Sequence, residues 1–125
     1  GDAQIEVAYD QWGTPTYADN LATMVRALVR ARYSGIWHTA GAACVSRLQL
    51  ARTVAMAFGL DLHLIVPMRS EALGQVAKRP RHGGLVVSKF QDAFPSIPCM
   101  APQEGLMEMI AEWDRSASLI SSAQE

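Results

Sequence analysis

A strictly alternating run that breaks at a glycine- and proline-bearing turn and gives way at once to a helical stripe leaves this chain few folds to choose from. Ile5, Val7 and Tyr9 alternate with Gln4, Glu6 and Ala8, as in a strand buried on one side. Asp10-Gln11-Trp12-Gly13-Thr14-Pro15 ends the run, and Pro15 biases Thr14 away from helical geometry. Thr16 is expected to open a helix, its hydroxyl accepting a backbone N–H while Asp19 reaches back as in a capping box. Leu21, Met24, Val25, Leu28 and Val29 share one face of that helix, its predicted packing face.

The order then recurs. Gly35 closes the helical stretch, and Ile36-Trp37-His38-Thr39 reads as a second strand. Ser46 with Gln49 makes a capping box ahead of Leu50, Ala51, Val54, Ala55 and Phe58, and Gly59 is the stop. Leu60, Leu62, Leu64 and Val66 are predicted to lie on one side of a third strand, opposite Asp61, His63 and Ile65, until Pro67 ends it. Ser70 to Val76 suits one or two helical turns, and Lys78 to Gly84 is a basic loop. Ser88 is expected to cap a short helix to Phe94. Pro102 fits the first turn of a final helix whose apolar stripe is Leu106, Met109, Ile110 and Trp113. Beyond Arg115 the chain is small and polar and is expected to fray, so the division is a lobe over 1–115 and a tail over 116–125.

Charge and length exclude several functions. Eleven basic against twelve acidic residues give a net charge of −1, so no global field draws the chain to nucleic acid or an anionic membrane, and any anion must be met locally. Its longest apolar stretches, such as Leu60 to Met68, fall far short of the roughly 20 residues a bilayer span needs. Cys44 and Cys99 show no CxxC spacing and no signal-peptide pattern is present, which places the expectation in a reducing cytoplasm. His38, His63 and His82 lack the spacing of a metal site, so no metal is expected. Gly1 leads directly into a strand, which points to a longer parent chain.

Three stretches carry a family signal. Asp10-Gln11-Trp12-Gly13-Thr14-Pro15-Thr16, continuing to Leu21-Ala22, resembles the DQxGxPTxxxxLA segment of the dTDP-4-dehydrorhamnose reductases, members of the extended short-chain dehydrogenase superfamily. Gly35-Ile36-Trp37-His38 followed by Ser46-Arg47 is similar to that family's GxYH strand and serine-capped helix, with Trp37 in place of tyrosine. Arg79-Pro80, Leu85 and Lys89 resemble its RPxxxxLxxxK stretch, and Glu104-Gly105-Leu106 is family-like. Order and spacing carry the resemblance more than any one motif does.

The resemblance implies an α/β fold, the C-terminal substrate-binding portion of a Rossmann-type enzyme whose cofactor-binding part lies outside this chain. It implies hydride transfer from NADPH or NADH to the 4-keto group of a dTDP-linked 6-deoxy-hexulose, giving dTDP-L-rhamnose. No GxxGxxG occurs, and none of Tyr9, Tyr17 or Tyr33 is followed four residues later by lysine, so no catalytic and no cofactor-binding residue is expected here and the piece alone is expected to be inert. The implied partners are a sugar nucleotide and the N-terminal Rossmann part of the same protein, and a homodimer is one assembly open to it. The alternatives are another sugar-nucleotide reductase or epimerase, or a non-catalytic regulatory subunit similar to the beta subunit of methionine adenosyltransferase.

Arg79 is the first candidate for substrate contact, because a guanidinium fork grips phosphate oxygens in pairs and Pro80 stiffens its backbone. The plain alternative is a solvated charge in a loop, which is the reading given to Lys78 and Arg81. Gln11 and Trp12 are the further candidates, an amide for sugar hydroxyls and an indole for stacking. For Trp12 a packing role is the stronger expectation.

Overall fold

The structure, a computed structural model, describes residues 3–124. Strand β1 (Ile5–Ala8) pairs in parallel with β4 (Ile65–Met68), placing Ile5 opposite Ile65 and Ala8 opposite Met68. Between them come β2 (Trp12–Gly13), α1 (Ala18–Arg30), β3 (Val45–Ser46) and α2 (Arg47–Ala57). Two 3₁₀ turns flank β4, Leu62–Leu64 and Ser70–Leu73, and α3 (Ser88–Ala93) and α4 (Pro102–Ala123) complete the chain. The two-residue strands β2 and β3 pair antiparallel, Trp12 against Ser46.

Helix α2 packs over the β1–β4 sheet, and the core there is Leu48, Ala55 and Ile65 with Val7 and Ala51 against it. The expected capping box is present: Ser46 Oγ accepts from Gln49 N (3.1 Å) and Gln49 Oε1 accepts from Ser46 N (2.9 Å). Such a cap is worth about 1 kcal/mol. Gly59 stops α2 with φ 66°, the left-handed geometry in which glycine carries no Cβ penalty. Glu104 accepts the Ala101 N–H at the start of α4, and Pro102 occupies its first turn as expected.

Several local expectations are overturned, each for an identifiable reason. Thr16 does not cap α1: its hydroxyl donates to the Thr14 carbonyl (3.0 Å) and accepts from Gly41 N (3.2 Å), so the helix starts at Ala18. Asp19 instead accepts from the Tyr17 phenol. The buried positions of α1 are Asn20 and Met24, whereas Val25 and Val29 are exposed. Residues 36–39 form no strand, because the Ile36 carbonyl is held by Lys89 Nζ (2.8 Å) and Trp37 packs on Tyr33 instead of joining a ladder.

The third strand starts five residues later than the pattern suggested. Asp61 accepts the His63 N–H and turns Leu62–Leu64 into a 3₁₀ segment, so Ile65 becomes the first strand residue and the buried one. A one-residue change in phase moves every side chain to the other face. Pro67 does not end this strand. The Met68 carbonyl accepts from Tyr9 N, so Pro67, one residue earlier, turns its nitrogen to the unpaired edge, where no ladder bond is lost.

Ser88 is the first residue of α3 and makes no cap bond; Val87 precedes the helix. The segment after Arg115 continues α4 to Ala123 instead of fraying. It lacks glycine and proline, and Ser118 and Ser122 bond back to carbonyls at Asp114 and Leu119 (3.0 Å each). Among the described residues no helix is long and apolar enough to cross a membrane.

Candidate functional site

The turn after β1 is held by the segment that follows β4. Asp10 accepts from both the Ser70 hydroxyl (2.6 Å) and the Ser70 N–H (3.1 Å). The hydroxyl bond, and then the backbone one, hold the Asp10 carboxyl below the usual carboxylate range. Gln11 is buried. Its Nε2 donates to Ser70 Oγ (3.0 Å) and Gln75 Oε1 (3.1 Å), and its carbonyl accepts from Arg47 N (2.9 Å). Ser70 thus receives from Gln11 and donates to Asp10, a consistent chain of protons.

Trp12 grips the basic loop by its backbone. Its N–H donates to the Arg81 carbonyl (2.7 Å) and its carbonyl accepts from Gly83 N (2.9 Å), while β3 lies on its other side. Leu85 N donates to Thr14 Oγ1 (3.2 Å), which extends the seam. Arg81 forms an ion pair with Glu71, so that cation is occupied.

The loop therefore lies across the turn, and between them opens a cavity of about 420 Å³. Gln11, Trp12, Thr14, Ser46, Arg47 and Arg79 line it, along with Pro15, Pro80, Leu50, Val45 and two glycines, and among the described residues no acidic one does. All three sequence candidates, Gln11, Trp12 and Arg79, meet here although 68 positions separate the first from the last. Gln11 spends its amide nitrogen on Ser70 and Gln75, so its first task is to position the 70–75 segment. Trp12 keeps its indole about one-third exposed at the wall. Lys78 lines a neighbouring cleft with Arg79 instead of this cavity.

Arg47 is the lining residue that sequence reasoning missed. The available signal was its place directly after the cap Ser46, where a cation faces the positive end of a helix.

Two further motif residues, Lys89 and Trp37, make contacts within the fold. Lys89 sits 4.3 Å over the Trp37 ring and binds the Ile36 carbonyl, tying the second stretch of the sequence signal to the third. Tyr33, Trp37, Phe90 and Phe94 form a connected aromatic group around this tie. A second cleft, of about 480 Å³, has the opposite character: Asp19, Glu108 and Glu112 line it with Tyr17 and Arg115. Desolvation, with hydrogen bonds to Asp19 and Glu112, pushes the Tyr17 phenol up to about 12. Charge thus separates the two clefts, and only the first suits an anion.

Among the described residues, the turn after β1 does not have the form that a nicotinamide dinucleotide needs. Such a group needs a glycine-rich strand-to-helix turn. Here β1 runs into Asp10–Pro15, whose Asp10 and Gln11 side chains are engaged with Ser70.

Residues 1–115 match the family described as the RmlD substrate binding domain. The chain is 35% identical over 113 residues to dTDP-4-dehydrorhamnose reductase of Mycolicibacterium smegmatis, covering 89% of this chain and 34% of that protein. It is 35% identical over 78 residues to dTDP-4-keto-6-deoxy-D-glucose reductase of Streptomyces niveus, covering 62% of this chain and 27% of that protein. The chain thus spans about a third or less of the length of these curated relatives. The fold is similar to that of dTDP-4-dehydrorhamnose reductase from Bacillus anthracis, solved with NADP (TM-score 0.79, 22% identity, 89% of this chain and 39% of that one). It is similar too to the Clostridium acetobutylicum enzyme (TM-score 0.77, 23% identity, 89% and 39%).

Proposed function

From the premise that this chain belongs to the RmlD substrate binding domain family, we propose that it is the sugar-nucleotide-binding part of an NAD(P)-dependent dTDP-4-dehydrorhamnose reductase. In this reading the intact protein reduces the 4-keto group of dTDP-6-deoxy-L-lyxo-4-hexulose to give dTDP-L-rhamnose. The observation that carries it is the cavity shared by Arg79, Trp12 and Gln11, lined by no acidic residue among those described, in a chain whose net charge is −1. A guanidinium there meets a diphosphate, and an indole beside it offers a face for the base or sugar.

Hydride transfer is assigned to the rest of the protein, since the described turn after β1 lacks the glycine-rich form the cofactor needs. The open edge of β1 supports that assignment. A parallel pair of strands is ordinarily part of a larger sheet covered on both faces. Among the described residues β1 pairs only with β4, and an apolar groove of about 470 Å³ lies beside it, lined among others by Ile5, Val7, Leu50, Val54, Leu60 and Ile65. The contribution of this part is orientation, holding the keto carbon against the cofactor. The curated relatives are named reductases, which favours this reading over a regulatory subunit. The free thiols Cys44 and Cys99 support a cytoplasmic setting.

The test is the full-length protein with Arg79→Ala. Loss of a charged hydrogen-bond pair should raise the KM for the dTDP-keto sugar roughly 10- to 150-fold while kcat changes little. An unchanged KM removes Arg79 from the site. Failure of the full-length parent protein to oxidise NADPH with the dTDP-keto sugar removes the reductase reading itself.

A further inference from the structure

We infer that Arg47 is the second cation of the cavity and that Arg47 and Arg79 together clasp the two phosphates of a nucleoside diphosphate. This rests on the nucleotide-binding reading above and adds to it a residue and a division of labour. Arg47 is the first residue of α2, an 11-residue helix with no acidic residue in its first turn. A cation there is repelled by the helix's own positive end, so the position is unfavourable unless an anion joins it.

Asp61 lines the neighbouring apolar groove together with Arg47, but it pairs with His63. Among the described residues the ion pairs are Asp61–His63 and Glu71–Arg81, so neither Arg47 nor Arg79 is neutralised by a carboxylate. The bonds at the start of α2 come from neutral groups, the Gln11 carbonyl to Arg47 N and Ser46 Oγ to Gln49 N. They fix the backbone of Arg47, whose exposed side chain has no carboxylate partner among the described residues.

Two arginines line this space from positions 32 residues apart, one at the start of a helix and one on the loop that Trp12 holds. One fork satisfies one phosphate in bidentate fashion. A monophosphate therefore needs one of these arginines and a diphosphate uses both. A nucleoside without phosphate uses neither.

Calorimetric titration of the full-length protein with thymidine, dTMP and dTDP tests this. For Arg47→Ala, dTDP affinity should fall about tenfold or more, thymidine affinity should hold, and dTMP should lose less than dTDP. Arg47→Lys should recover part of the dTDP affinity. Arg47→Gln, which removes the charge from the helix start, should leave the thermal midpoint unchanged or raise it while dTDP binding still weakens, a split that a merely structural residue does not produce. Unaltered dTDP binding in Arg47→Ala and Arg47→Gln, with Arg79→Ala impaired, overturns the role of Arg47 and leaves the nucleotide reading standing. Equal affinity of the parent protein for thymidine and dTDP overturns both.

Discussion

Exchanging one nitrogen for oxygen at Asn20 should unfasten the 98–100 segment, which lines the acidic cleft, and should do so in a pH-dependent way. Asn20 is 4% exposed on α1, where its Nδ2 donates to the Pro98 carbonyl (2.8 Å) and its Oδ1 accepts from Met100 N (2.9 Å). A carbonyl needs a donor and an N–H needs an acceptor, so the partners fix the orientation of the amide. In Asn20→Asp the bond to Met100 survives, but a carboxylate oxygen faces the Pro98 carbonyl. A net hydrogen bond of about 1 kcal/mol is lost and the carbonyl is left unsatisfied at about 1–3 kcal/mol more, a total of about 2–4 kcal/mol near neutral pH.

Burial and the facing carbonyl raise the folded-state pKa of the new carboxyl above its unfolded value of about 3.9. The folded state then binds more protons, so the variant loses stability as pH rises from about 3.9 through that raised value and loses no more above it. Below about pH 4 the protonated acid donates to Pro98 again and the gap closes. Urea unfolding of parent and variant across this range measures the gap directly. A variant as stable as the parent at about pH 8, or a deficit that does not shrink on acidification, would refute the reasoning.

Other outcomes concern two glycines and Asp10. Gly41→Ala should cost about 3 kcal/mol by denaturant unfolding, because the added carbon meets the Pro15 carbonyl oxygen and lies 2.7 Å from that of Met100, backbone atoms that cannot rotate away. Gly13→Ala, with nothing within 4 Å of the added carbon, should stay within about 0.5 kcal/mol, and equal effects at both positions would sink the steric account. Because its folded pKa is lowered, Asp10 contributes stability that is present above the unfolded carboxyl value and lost as pH falls through the lowered one. Asp10→Asn should therefore flatten the acid limb of exchange protection at the Ser70 amide, and an unaltered limb would remove Asp10 as the anchor of that segment.

Residues that act on near neighbours were legible in the sequence. Ser46 and Gln49 cap α2 as their spacing indicates, Gly59 ends it, and Pro102 begins α4. Where distant groups compete, the local pattern gave the wrong answer. Thr16 is drawn from its cap by Gly41, the Ile36 carbonyl is claimed by Lys89, and Asp61 turns the chain just where alternation suggested a strand. Asn20 is the clearest case, a polar residue that is buried on α1 because the 98–100 segment needs both a donor and an acceptor there.

The amino-acid order alone determined the α/β succession, the family signature and the candidacy of Arg79, Gln11 and Trp12, because caps, turns and motif spacing are properties of near neighbours along the chain. Tertiary structure decided that these three share a cavity, that Arg47 joins them and that no carboxylate of the described residues does. Electrostatics acts through space. Only closure of the chain around Trp12 and Ser70 brings charges from positions 47 and 79 to bear on one volume.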